Sequence, residues 1–195
     1  MKGGMRLACL ALLVTALARG ETVSLADLQG WLSVWQKREG LDQWKINLRV
    51  VRQGEVGSGN DGDVMWSADT GTARMRVLCA ADMAKTGPSA PSEIRRESEL
   101  VIVHELMHLL LVPISGNYWN WSRAENDRAE AVTEAFSEML LQRRVPGGLS
   151  EAQFINSQMS RWPGKPAPEA KRQVMLKLVR AMQAVAEDDV TALLR

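Results

Sequence analysis

The segment Leu100 to Val112 (LVIVHELMHLLLV) constrains this chain most. It is apolar on every side of a helix except at His104, Glu105 and His108. A helix that is hydrophobic all round belongs at the centre of a fold. The pattern therefore predicts a buried helix over Glu93 to Val112, capped by Ser92 and ended by Pro113. Ionisable side chains in such a helix must be compensated, because burying them unpaired costs several kcal/mol. Residues four apart lie on one face, a turn above one another. His104 and His108 can therefore offer ring nitrogens to one metal ion, with zinc the natural choice. Glu105 projects beside that ion, where it can take a proton from water and return it to a leaving amine. This is the HExxH pattern; its purely structural alternative is a pair of helix histidines satisfied by hydrogen bonds.

A catalytic zinc takes three protein ligands. The chain has two histidines, and both are in the pattern. A third histidine ligand is therefore excluded, and the longer metzincin pattern fails at Leu111 and Ile114. The third ligand must be a carboxylate or Cys79. A second helix, predicted over Asp127 to Arg143, carries Glu130, Glu134 and Glu138 at i, i+4 and i+8. Such a row is often just a solvated stripe. Here apolar residues flank it on both sides, which sets it close to the buried side.

HELMHLLL followed by ENDRAEAVTEAFSEMLL resembles the small gluzincin peptidases, and especially the minimal gluzincin-like domains of phages and mobile elements. In those domains the second helix reads E-x-x-A-x-x-[FL]-[AS]-x-x-[LM]-L. Glu130, Phe136, Ser137, Leu140 and Leu141 fit that frame, with Thr133 in place of Ala. The resemblance covers about residues 40 to 142, strongly at the two helices and weakly elsewhere. It implies a zincin-like fold with His104, His108 and Glu130 as zinc ligands and Glu134 orienting a ligating histidine. Glu125 is the reserve ligand. Many gluzincins also use a downstream His or Tyr against the oxyanion. The only tyrosine is Tyr118, in the loop between the helices, and it takes that role in this reading, with Arg123 or Arg128 as substitutes.

The rest of the chain suits an α+β class. Ser24 caps an amphipathic helix with Leu25, Leu28, Trp31, Leu32 and Trp35 on one side. Three strands are predicted at Trp44 to Arg52, Asp63 to Ala68 and Thr72 to Ala81. They form a small antiparallel or mixed sheet on the central helix, with Cys79 a buried small hydrophobe on the last strand. Further helices follow: a short one opened by Ser150-Glu151-Ala152-Gln153, and an amphipathic one over 169–186. With 195 residues the chain makes one domain, 21–195, with its core at about 40–142 and a helical extension over 147–195.

Residues 1–20 stand apart. Lys2 and Arg6, the apolar run Leu7 to Ala18 and small residues at Ala16 and Ala18 make a secretory signal peptide, too short to span a bilayer. Export, with no stable membrane insertion, is the expectation. Loss of that segment leaves Cys79 alone, so no internal disulfide can form. A formal net charge of +1 offers no field for nucleic acid. The expected activity is hydrolysis of peptide bonds in a peptide or protein, with zinc as cofactor. The competing readings are an amide hydrolase for cell wall or a small molecule, and an exported binding protein with a relic zinc site.

Overall fold

The computed structural model describes residues 23–193 except 58, 89 and 116–119. Residues 1–20, where a signal peptide is expected, and Tyr118 lie outside the described residues. Within them the chain is α+β, with six helices and one three-stranded mixed sheet. Helix α1 is Leu25–Arg38, followed by strands β1 Lys45–Val51, β2 Gly62–Ser67 and β3 Thr72–Leu78. Then come α2 Ala80–Thr86, α3 Pro91–Ser115, α4 Arg123–Gln142, α5 Glu151–Arg161 and α6 Pro168–Leu193.

The sheet order is β1-β3-β2. Strands β2 and β3 form a hairpin closed at Ala68–Gly71, where Gly71 adopts φ 61° and permits the tight reversal. Strand β1 pairs with β3 in parallel, Ile46 opposite Ala73 and Val50 opposite Val77. Pairing is thus mixed, and β3 is central with Ala73, Met75 and Val77 buried beneath it. Strand β3 stops at Leu78. Cys79 is then not a strand residue: it sits at the N-cap of α2, half-buried, its Sγ 3.1 Å from Arg52 Nη1.

Helix α3 is the axis of the molecule. Ile102, Val103, Leu106, Met107, Leu109, Leu110 and Leu111 are each at most 1 % exposed, as a helix without a polar face requires. It contacts the sheet and α1, α2, α4 and α6. The helix is long and apolar enough to cross a membrane, but 67 % of that apolar window is buried inside this fold. Its start at Pro91 uses proline where the missing N–H costs nothing. Its end runs past the expected stop at Pro113 to Ser115. So late in a helix a proline costs one i→i−4 bond, and the carbonyls of the last turns find other donors: Ser115 Oγ donates to Leu111 O, and Trp162 Nε1 donates to Ile114 O at 3.2 Å.

Helix α4 begins at Arg123, four residues before the expected Asp127, because Ser122 and Glu125 form a capping box. Its buried face, Val132, Phe136, Met139 and Leu140, packs on α3 and on α5, where Phe136 meets Phe154 edge to face at 6.3 Å. The opposite edge carries the glutamate row. Helix α6 closes the core through Val174, Leu178, Ala181 and Val185.

Candidate metal centre

The four-residue spacing on α3 stacks His104 and His108 with their ring centroids 4.9 Å apart and planes at 76°. Their Nε2 atoms are 3.2 Å apart. Helix α4 presents Glu130 to both: Oε2 lies 3.3 Å from His104 Nε2 and 3.5 Å from His108 Nε2. The three atoms form a near-equilateral triangle. Ligands of a tetrahedral zinc at roughly 2.0–2.1 Å stand about 3.3–3.4 Å from one another. Donor types and spacing therefore both fit a small cation of that kind, and His104, His108 and Glu130 are the residues that could hold it.

Glu134, one turn beyond Glu130, lies with Oε2 3.0 Å from His104 Nδ1. An ionised carboxylate only accepts, so Nδ1 carries an N–H; loss of the proton on Nε2 is what would turn that nitrogen's lone pair toward Glu130 and His108. Burial disfavours a charged His104, but its hydrogen bonds to Glu130 and Glu134 outweigh this and raise its pKa to about 10. Glu130 answers in kind. Burial works to raise it, yet the two histidines hold it well below the usual carboxylate range. The cluster is built to attract positive charge.

Glu105 is 6 % exposed and makes no hydrogen bond among the described residues. Burial pushes its carboxyl up to about 7, against the pull of His108 and His104. Its surroundings include Gly62 at the start of β2. A Cβ there would stand 2.5 Å from Val101 Cγ1, 3.0 Å from Arg76 O and 3.1 Å from Glu105 Oε1. Glycine is what lets the strand come this close to the glutamate.

All of these groups line one cleft of about 760 Å³ between β2, α3 and α4. Of the residues picked out from sequence, His104, His108, Glu105, Glu130 and Glu134 meet here. Glu125 does not. Its Oε2 accepts from Ser122 N at 2.8 Å and Ser122 Oγ at 2.7 Å, which fixes it as a helix cap. Arg123 and Arg128 are outside the lining, and Arg128 Nε donates to its own helix at Ala124 O. Cys79 is at the far end of β3, with Arg52.

The cleft also has members that sequence reasoning missed. Asp61 and Glu97 line one end, Trp162 and Asn126 the other. Glu97 was the most accessible of these from sequence, being two turns before His104 on the same helix face. Trp162 could not be found that way, because only folding returns α5 to the end of α3.

Comparison with protein-family models, with curated proteins and with solved structures found no match for this chain.

Proposed function

We propose that this chain is a zinc-dependent metallopeptidase of the gluzincin type, with a zincin-like arrangement of sheet and helices. One observation carries the reading: His104, His108 and Glu130 converge at tetrahedral spacing beside a buried, unpartnered Glu105 in an open cleft. A structural site has no use for that glutamate. Zinc, when bound, supplies Lewis acidity toward a carbonyl and acidifies water. His104, His108 and Glu130 hold it, and Glu134 keeps His104 in the tautomer that can bind. Glu105 accepts the proton of the attacking water and passes it to the departing amine. The walls of β2 and α4 keep a bound chain beside these groups. Action outside the cytoplasm on peptides or proteins, after removal of residues 1–20, completes the proposal.

The test is a peptide-library digest by the purified protein, before and after chelation and zinc return. Cleavage that follows zinc, and is lost in Glu105→Gln while that variant keeps about one zinc per chain, supports the reading. Equal cleavage by Glu105→Gln and the parent sinks it.

A further inference from the structure

The charge in the cleft is uneven along its length. Helices α3 and α4 run antiparallel, since His104 meets both Glu130 and Glu134 whereas His108 meets only Glu130. The N-terminal end of α3 therefore faces the later turns of α4. There Glu97 of α3 shares an electrostatic environment with Asp61, Glu134 and Glu138. Asp61 is anchored through its backbone, its carbonyl accepting from Leu78 N at 2.7 Å. The opposite end is lined by Ser115, Trp121, Asn126 and Trp162, none of which is charged.

Neither Asp61 nor Glu97 forms an ion pair among the described residues. The nearest basic groups do not neutralise them. Arg96 influences Glu97 from an exposed position, and Arg76 is committed to Asp63 on the neighbouring strand. Burial raises both carboxyls above their ordinary values, and for Glu97 the other acids add to it. A second and separate observation points the same way: Glu105, nine-tenths buried and on the wall of the same cleft, also lacks a partner.

A second metal ion is a poor occupant for this end. Among the described residues, only His104, His108 and Glu130 bring three ligand atoms within 4.8 Å of one another. The acidic end is too spread for one ion to be held by three side chains, whereas a long cationic side chain can lie among several carboxylates at once. A cleft lined by one sign of charge, with low-dielectric walls, concentrates the opposite charge.

Building on the peptidase reading, we propose that the cleft selects a peptide carrying Arg or Lys on the Asp61–Glu97 side of the histidine pair. Asp61 and Glu97 are the specificity-determining residues, and the neutral, aromatic end takes the uncharged part of the chain.

The experiment uses the full chain as the zinc-loaded Glu105→Gln variant, so that binding is read without turnover. Fluorescein-labelled heptapeptides with Arg, Gln or Glu scanned through the central positions are titrated by anisotropy at low salt. The expected result is a preference of about tenfold or more for Arg over Gln at one position, and rejection of Glu there. Asp61→Asn with Glu97→Gln should abolish the preference, and Glu97→Gln alone should weaken it. Glu151→Gln, on the exposed start of α5, should leave it intact. Equal binding of the three peptide sets overturns the proposal, as does a preference that survives both neutralisations or no binding of any peptide. Turnover by the parent separates the two ideas. Cleavage without charge preference defeats the specificity and leaves the peptidase reading standing. Charge-selective binding without cleavage defeats the peptidase reading alone.

Discussion

Oε2 of Glu134 lies 3.0 Å from Nδ1 of His104, on the edge of the ring away from the nitrogen that faces His108 and Glu130. The carboxylate orients the imidazole and fixes its tautomer without itself joining the trio. Glu134→Gln should weaken zinc binding by about 10–100-fold. Glu130→Ala should weaken it more, by roughly a thousandfold or 4 kcal/mol. Competition against a chromophoric chelator measures both. A Glu134→Gln variant that binds as tightly as the parent would remove the orienting role.

Zinc uptake should release protons, and the number should fall with pH. His104 holds its proton up to about 10 and Glu105 up to about 7. A dication in the trio displaces the first and disfavours the second. Proton release is expected to be larger near pH 6, where both groups are protonated, than near pH 8.5, where Glu105 has already lost its proton. Affinity therefore rises with pH, more steeply below 7 than above. Calorimetry in buffers of differing ionisation enthalpy counts the protons.

Gly62→Ala should separate metal binding from chemistry. Its new methyl would meet Val101 and crowd Glu105 Oε1, both on the wall of α3, but it touches none of the three ligands. A stability loss of about 1–3 kcal/mol is expected from overpacking, with zinc affinity unchanged and turnover reduced. Denaturant melts, chelator competition and peptide cleavage on one preparation distinguish these effects.

Glu39→Gln should stabilise the protein at neutral and alkaline pH. Glu39 is 1 % exposed at the end of α1, with neither carboxylate oxygen hydrogen-bonded. Burial raises its folded-state pKa well above 4.5, so the folded chain keeps a proton that the unfolded chain loses. Parental stability therefore declines as pH rises from about 4.5 toward the folded-state pKa. The variant has no such proton to keep. Its advantage should be small near pH 4.5 and reach about 1–3 kcal/mol at high pH. Urea unfolding of both proteins at several pH values reads the difference directly.

Phe136→Ala should cost about 3–5 kcal/mol. The ring is fully buried and joins α4 to α5 through Phe154. Because α4 carries Glu130 and Glu134, the variant should also lose zinc affinity, through position and not through charge.

Local periodicity determined much of this protein before any folding was considered. The three- and four-residue spacing of apolar side chains marks α1 and α6, the unbroken apolar run marks α3, and the alternation in KINLRVV and TARMRVL marks β1 and β3. One helix turn sets His104 against His108, so two members of the candidate metal-holding trio were legible from five residues. The histidine count then left a carboxylate or Cys79 for the third ligand, and the glutamate row on the next helix was visible as a row.

Tertiary structure decided the rest, because it depends on contacts between segments far apart in the chain. Strand direction is not encoded in alternation, and β1 turned out parallel to β3. The short helix Ala80–Thr86 begins inside the segment read as the third strand, Thr72 to Ala81, and was not foreseen. Helix α3 ends beyond Pro113, and Trp162, 48 residues away, donates to the carbonyl of Ile114 in its last turn. The same packing angle between α3 and α4 brings Glu130 onto both histidines, leaves Glu134 on the outer edge of His104, and leaves Glu125 as a cap. It also assembles the acidic end of the cleft from Asp61 and Glu97, which no sequence window holds together. Spacing along one helix is covalent geometry and can be read directly; the meeting of two helices is set by how their buried faces pack.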